Sequence, residues 1–404
     1  MTEASKGARI GRSTRTGTAR SPHRASDRTI RERRRATEIV DRFGRGALLP
    51  FQRAEDKRWF VGPDAESVVA YGLAGRVAVA LGDPIGPDES ARTTFDRFVA
   101  VCRSHRLVPV VYQATEAGRA RLETAGFRCI PVGREAIIDL ETFDLRGSRR
   151  ANLRHTVTRA QRGGVRVEWR PDGLSREEIA RLGPRLGAID ALWRRSAGPA
   201  MGFTISSFEA GRLMTTAVAI AFDGTGAPIA FATFARTGAD QGWVLDLMRR
   251  LPESVPGALE WCIAMAASEL RDRGAPVLSL GLAPLWGLDR DAGSVEERLL
   301  ARAVVLAAPF YDVAGLAFFK AKFDPRWETR YAAVRRTREF PALVLGLLKL
   351  HLVPPGGSML TVVRDGLAPL IKDRAERPGR EMIRAVGSGT AIDGGPVTRS
   401  GWDG

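Results

Sequence analysis

WVLDLMRR at 243–250 sets one acid inside an apolar, strand-like run and closes the run with two arginines. Strand alternation puts Val244, Asp246 and Met248 on one face and Leu245, Leu247 and Arg249 on the other. A lone charge in such surroundings is costly, so Asp246 needs a partner or a chemical task. It converges with Arg249 only if the strand bulges or ends between them, as strands beside active sites often do. Two readings stand. One is a structural ion pair; the other is a carboxylate that orients or deprotonates a hydroxyl, beside an arginine that holds a phosphate or a developing oxyanion.

Outward from this run, strands near 216–222 and 228–236 precede it, and a helix at 257–273 and a strand at 276–281 follow. A helix at 294–307 and a strand near 329–335 come last, while a basic helix at 148–162 and a strand at 165–170 come first. This unit spans 142–340. An earlier unit, 37–141, repeats the order: two strands in SVVAYGLAG and RVAVALGD (67–83), helix 91–105, strand 108–113, helix 117–125 and strand 135–140. The fold class expected is α/β (α+β), with helices on a sheet in each unit.

The ends are simpler. Residues 1–36 hold eleven Lys/Arg against three acids in a Ser/Thr/Gly-rich context and are expected to be a disordered basic tail. Residues 354–404 accumulate Gly, Ser and Pro and read as flexible. Between them and the second unit lies PALVLGLLKLHLV (341–353), an apolar helix about 20 Å long at ~1.5 Å per residue, too short to cross a bilayer. It either packs on the domain or lies in a membrane interface.

A formal charge of +16 points to a polyanionic partner, nucleic acid or an anionic membrane. Three cysteines without CxxC spacing and four histidines give no disulfide framework and no structural zinc, which fits a reduced cytosolic setting. No metal and no cofactor are expected.

Four further stretches carry chemistry. Leu145–Val167 has seven arginines and no acid, with Leu153, Val157 and Ala160 at helical spacing for packing. Arg149, Arg150, Arg154 and Arg159 then present guanidinium forks suited to phosphate, nucleic-acid phosphate above all, unless the helix is an ordinary exposed face. LGDPIGP (81–87) fixes Asp83 in a rigid loop that either caps a turn or lines a substrate. LSLGLAPLWGL (278–288) runs a strand into a loop with Trp286. FKAKFDPRWETRY (319–331) interleaves Lys320, Lys322, Arg326 and Arg330 with Phe323, Trp327 and Tyr331, a surface for an anionic head group or a base, or else a core with cations reaching outward. The segment LPESVPGALEW (251–261) offers only Gly257 where a pyrophosphate loop would need several glycines, which argues against coenzyme A in that position.

Taken in order, LGDPIGP, GSRRANLRHTVTRA, VLDLMRR, SLGLAPLWGL and FKAKFDPRWETRY resemble the cytosolic catalytic region of the bacterial aminoacyl-phosphatidylglycerol synthases, the multiple-peptide-resistance-factor family, over about residues 40–335. The resemblance implies two tandem Gcn5-related acetyltransferase-like folds. It implies transfer of an amino acid, lysine or alanine foremost, from aminoacyl-tRNA to the glycerol hydroxyl of phosphatidylglycerol. It further implies a peripheral place on the cytoplasmic face of the cell membrane, reached without the family's transmembrane flippase, with the basic tail and Pro341–Val353 as candidate means.

By the same resemblance the aspartate and arginine of the DLMR motif fall on Asp246 and Arg249, and the lysine before the FDPRW stretch falls on Lys322. Asp246 is assigned to hydroxyl or amine recognition and base catalysis, Arg249 to lipid phosphate, and Lys322 to the oxyanion or the terminal tRNA phosphate. Asp83, Glu260, Arg326 and Trp327 follow as pocket residues. Competing readings keep the aminoacyl-tRNA donor with another lipid, a peptide or a small molecule as acceptor, or make the protein a non-catalytic RNA or membrane binder, or an acetyl-CoA N-acetyltransferase.

Overall fold

Strand β7 (Ala217–Phe222) shows how the core is divided, because all six of its residues are buried. Ala217, Ala219 and Ala221 face one core and Val218, Ile220 and Phe222 face another. A sheet covered on both sides has this continuous apolar signature. The computed structural model describes residues 27–197, 202–204, 206–287 and 313–352.

The first half begins with helix α1 (Asp27–Phe43) and a single turn α2 (Leu49–Gln52). An antiparallel meander follows, β1 (Arg58–Val61), β2 (Val68–Ala74) and β3 (Val77–Leu81). Helix α3 (Asp88–Ser104) crosses to β4 (Val108–Ala114), which runs parallel to β3, and α4 (Glu116–Thr124) leads to β5 (Arg128–Asp139). The second half repeats the scheme. Helix α5 (Ala151–Arg162), β6 (Arg166–Arg170) and α6 (Arg176–Ala197) lead into a meander of β7, β8 (Pro228–Arg236) and β9 (Trp243–Arg250). Helix α7 (Ala258–Asp272) crosses to β10 (Val277–Pro284), parallel to β9; then come α8 (Val313–Ala321), β11 (Arg326–Val334) and α9 (Phe340–Leu352).

All eleven strands form one sheet in the order β1-β2-β3-β4-β11-β5-β10-β9-β8-β7-β6. The last strand of each half has changed sides. β5 pairs with β10 of the second half, and β11 inserts between β4 and β5 of the first. The boundary expected at 141/142 therefore does not separate two sheets, and the strand expected to finish the second unit lies in the middle of the common one. The described residues all belong to one compact unit.

Helices cover both faces. Leu153, Val157 and Ala160 of α5 and the alanine-rich face of α7 pack over the small residues of β7 and β8, so these helices sit close to the sheet. Burying a side chain such as Leu153 contributes about 1.5–3 kcal/mol. Leu182, Leu186 and Ile189 of α6 cover Val218, Ile220 and Phe231 on the opposite face.

Several elements differ from the sequence expectation. Helix α1 starts at Asp27, inside the expected tail, because Ala36, Ile39 and Val40 form an apolar face buried beside Val68 and Ile85. Helix α6 lies where no element was expected and runs through Gly183, Pro184 and Gly187, since its tertiary apolar contacts outweigh propensity. β5 begins seven residues earlier than the expected 135, across Pro131 and Gly133, where β11 also shifts register. Helix α9 packs on the first half, burying Phe340, Leu343, Gly346 and Leu352, with Leu345 63% exposed. Among the described residues no helix is long and apolar enough to cross a membrane. The expected helix at 294–307 and the tail at 354–404 lie outside the described residues.

Candidate active site

The pairing of β8 with β9 slips between Thr233 and Phe234, whose partners are Leu247 and Leu245. Asp246 is the extra residue of a β-bulge. The bulge reverses the strand's alternation: Trp243 and Leu245 join the core under α7, whereas Leu247 joins the core under α6. Arg249 follows Leu247 to the α6 side. The convergence of Asp246 with Arg249, which alternation alone forbids, comes from this one inserted residue.

β9 and β10 pair only at Trp243 with Leu278 and Val244 with Ser279. Beyond these the parallel strands part, and β10 has its own irregularity between Ser279 and Leu282, with Gly281 at φ 77°. Asp246 lies two residues past the last pair, at the mouth of the parting. Thr233 Oγ1 donates to its Oδ2 at 3.4 Å, while Oδ1 is buried and has no hydrogen bond of good geometry. Burial raises the carboxyl pKa, and nearby Ser206, Arg212, Thr233 and Arg249 only partly offset it. A carboxylate so placed is a stronger base than an exposed one and has an acceptor lone pair to spare.

Arg249 is largely spoken for. Its Nε donates to Asp190 Oδ1 of α6 at 2.7 Å, one Nη donates to the Met248 carbonyl at 2.8 Å, and its guanidinium lies 4.1 Å from the centroid of the Trp193 ring. Asp190 Oδ2 accepts from Arg194 at 2.8 Å. Burial lowers the pKa of Arg249, and Asp190 offsets this only in part. Asp190 was not singled out from the sequence, although an acid among Leu182, Leu186 and Ile189 on one helix face was a readable signal.

Lys322 lies on the other face of the sheet. Its Nζ donates to Glu260 Oε1 of α7 at 2.8 Å, so two expected pocket residues meet each other rather than Asp246. Lys320, which the sequence grouped with the surface cations, is 3% exposed and donates to the carbonyls of Gly281 and Leu282 at 3.0 and 2.7 Å. Burial pulls its pKa down to about 7, opposed by Glu135. Glu135 in turn accepts from Ser279 at 2.5 Å and from Arg330 Nε at 2.7 Å, so the irregular stretch of β10 is braced by a buried polar network.

The remaining candidates divide. Trp327 packs beside Trp286, ring centroids 5.7 Å apart, and Trp286 meets Phe318, which is 64% exposed; Phe318 and Trp327 flank Lys322 on the α8–turn–β11 unit, and Trp286 joins them from the loop after β10. Arg326 pairs with Glu328. Asp83 stands apart, since β3 and β9 are separated by β4, β11, β5 and β10. It accepts from Thr115 Oγ1 at 2.5 Å and braces α4, where a Cβ on Gly118 would fall 1.8 Å from its Oδ1. That fits the turn-capping reading, and Asp83 also lines a small cavity with Pro84, Phe95 and Leu122.

On the basic helix, Arg150 and Arg154 have structural duties. Arg150 donates to the carbonyls of Thr142, Asp144 and Phe323, and Arg154 to those of Leu145 and Gly147. Arg149 and Arg159 are exposed, and among the described residues neither has an ion-pair partner. At the start of α7, Gly257 (φ 98°) lets α5 press against the helix, since a Cβ there would lie 2.5 Å from the Thr156 carbonyl oxygen, and Glu260 occupies the first turn. Both features oppose a pyrophosphate at that helix end.

Two meander-helix-strand units on a shared sheet, each with its parallel strand pair, make a tandem fold of the Gcn5-related type. The chain belongs to the family described as phosphatidylglycerol lysyltransferase, C-terminal, whose model matches residues 39–334. It is similar to the lysylphosphatidylglycerol biosynthesis bifunctional protein LysX of Mycobacterium sp. (strain JLS), 28% identical over 321 residues that are 75% of this chain and 28% of that one. It is also similar to the phosphatidylglycerol lysyltransferase of Bacillus subtilis (strain 168), 25% identical over 78% of this chain and 36% of the relative. The chain thus spans about a third of these relatives' length. Among solved structures, the C-terminal domain of a putative lysylphosphatidylglycerol synthetase from Agrobacterium fabrum superposes with a TM-score of 0.69 at 26% identity, covering 82% of this chain and 99% of that one. L-PGS from Bacillus licheniformis gives a TM-score of 0.66 at 24% identity, over 78% and 96%, a likeness of fold.

Proposed function

We propose that the chain moves an aminoacyl group, lysyl or alanyl, from aminoacyl-tRNA to the glycerol hydroxyl of phosphatidylglycerol at the cytoplasmic face of the membrane. The observation that carries this reading is the buried, unsatisfied Oδ1 of Asp246 at the parting of β9 and β10 in a chain of this family. The donor ester is already activated. The protein has to align a hydroxyl, accept its proton and stabilise the tetrahedral oxyanion.

In this mechanism the lipid hydroxyl oxygen attacks the aminoacyl carbonyl while its proton passes to Asp246. The tetrahedral intermediate collapses, the ester bond to the terminal ribose breaks, and the proton goes to the departing ribose oxygen. Lys322 is the cation for the oxyanion or the terminal phosphate, held by Glu260 until substrate draws it away. Arg249 steers the lipid phosphate with the donors that Asp190 and Met248 leave free. Trp286, Trp327 and the exposed Phe318 supply an apolar approach for a lipid.

The test is incubation of the protein with lysyl-tRNA or alanyl-tRNA, labelled in the amino acid, and phosphatidylglycerol vesicles, followed by organic extraction. Label is expected in the lipid phase with wild type and at background with Asp246→Ala. Label absent from the lipid phase for wild type with every charged tRNA, under conditions where the tRNA binds, would overturn the reading.

A further inference from the structure

At the end of the second half away from the catalytic parting, a cavity of ≈ 210 Å³ opens where the β8–β9 hairpin, the close of α7 and the end of β6 meet. Arg236, Gln241, Trp243 and Arg273 line it, and no acid does. The Arg236 guanidinium lies over the Trp243 ring at 4.7 Å, which fixes its position while leaving its hydrogen-bond donors unspent. Among the described residues neither Arg236 nor Arg273 has an ion-pair partner. Of the acids adjacent in sequence, Asp240 is taken by Thr237 and the Gly46 amide, and Asp272 by Arg271. Asp172 and Glu269 remain, and among the described residues neither is ion-paired with Arg236 or Arg273.

The C-terminus of α7 contributes little opposing charge, because the Leu270 and Arg271 carbonyls already accept from the amides of Arg273, Gly274 and Ala275 at 2.8–3.2 Å. The surroundings extend the positive field. Arg271 donates to the Phe143 carbonyl at 2.7 Å, tying this end of α7 to the loop before α5, where Arg146 and Arg149 are exposed. The Ala239 amide donates to the Gly44 carbonyl at 3.0 Å, which brings exposed Arg45 beside the hairpin.

From this geometry we infer that the cavity between Arg236 and Arg273 binds a phosphate group of an RNA backbone, a second anchor for the donor RNA beyond the arginines of α5. The inference rests on the aminoacyl-tRNA reading above. Two planar forks converging on one concavity suit the oxygens of a single phosphodiester, whereas a flat membrane surface cannot enter it. Trp243 is buried and covered by Arg236, so the contact is to backbone rather than to a stacked base.

The test measures binding of uncharged tRNA across a salt series for the full chain, Arg236→Gln, Arg273→Gln, the double variant, and Arg185→Gln on the exposed side of α6 as a control. Each cavity substitution is expected to weaken binding several-fold and to lower the log–log salt slope by roughly 0.7–0.9, with the circular dichroism melt unchanged and the control like wild type. Equal affinity and slope in the double variant, or an equal loss in Arg185→Gln, overturns the inference. So does inorganic phosphate binding that the double variant loses while its tRNA affinity stays at the wild-type value, which would mark a small-anion site. Because the readout is binding of uncharged tRNA, loss of the cavity effect and absence of lipid product are separate failures.

Discussion

Arg249 Nε and Asp190 Oδ1 lie 2.7 Å apart between β9 and α6, with side chains only 7% and 5% exposed. This buried pair ties the strand that carries Asp246 to the helix behind it. Asp190→Ala leaves a guanidinium buried without its counter-charge and is expected to cost about 3–5 kcal/mol in urea unfolding. Asp190→Leu with Arg249→Met should recover most of that stability. An Asp190→Ala protein as stable as wild type would show that the pair does not hold the two elements together.

Asp246 should behave in the opposite way. Its folded-state pKa is raised, so the stability that its neutral form contributes is complete below the unfolded value of about 4 and is lost as pH rises through the folded value. Asp246→Asn escapes that loss. Its melting temperature relative to wild type should climb with pH across that window and then level off, while transfer activity disappears. A variant that melts lower than wild type at neutral pH would contradict the unsatisfied-carboxylate picture.

Lys320 gives a second pH signature. With a folded pKa of about 7 against an unfolded value near 10.4, the unfolded chain binds one more proton than the native chain between these limits. The wild-type unfolding free energy should therefore rise relative to Lys320→Met by up to about 1.4 kcal/mol per pH unit from pH 7 towards 10. Parallel curves for the two proteins would place the lysine charged in the fold.

Lys322→Met is expected to lower kcat by about 10²–10³ if the ammonium stabilises the oxyanion, with KM for charged tRNA little altered. Lys322→Arg should restore part of the rate. A rise in KM alone would move Lys322 from the oxyanion to the binding of tRNA.

For the basic helix, charge reversal belongs at Arg149 and Arg159, since Arg150 and Arg154 also support backbone carbonyls. Arg149→Glu and Arg159→Glu should weaken tRNA binding and flatten its salt dependence by roughly 0.7–0.9 per lost contact, without lowering the melting temperature. An unchanged slope removes α5 from the RNA surface.

Local pattern carried much of this architecture. β2, β3, β7, β8 and β9, with α3, α4, α5 and α7, lie close to where apolar period and glycine punctuation put them, because each has a face that must be buried, whereas β1 was not expected. What pattern could not carry was partnership between distant segments. Nothing in RWETRYAAV says that it pairs with β4 and β5, and nothing in RCIPVGREAIID says that it pairs with β10. The site shows the same limit. The DLMRR run marked its own importance, and its need for a bulge was readable, but Asp190 and Lys320 act through residues 59 and 38–39 positions away. Asp83 read as a turn cap or as the lining of a substrate loop, and the structure shows both a bond from Thr115 and a place in the wall of a small cavity beside α3 and α4.

The traded strands also govern how the polypeptide is born. A ribosome releases β4 and β5 long before Arg326–Val334 emerges, so the nascent first half has to wait with two unsatisfied strand flanks. At about 5–20 residues per second that delay is on the order of ten to forty seconds. Neither half can mature as an autonomous module, and a premature stop before residue 326 would leave an open seam through the centre of the protein rather than a shortened but intact enzyme.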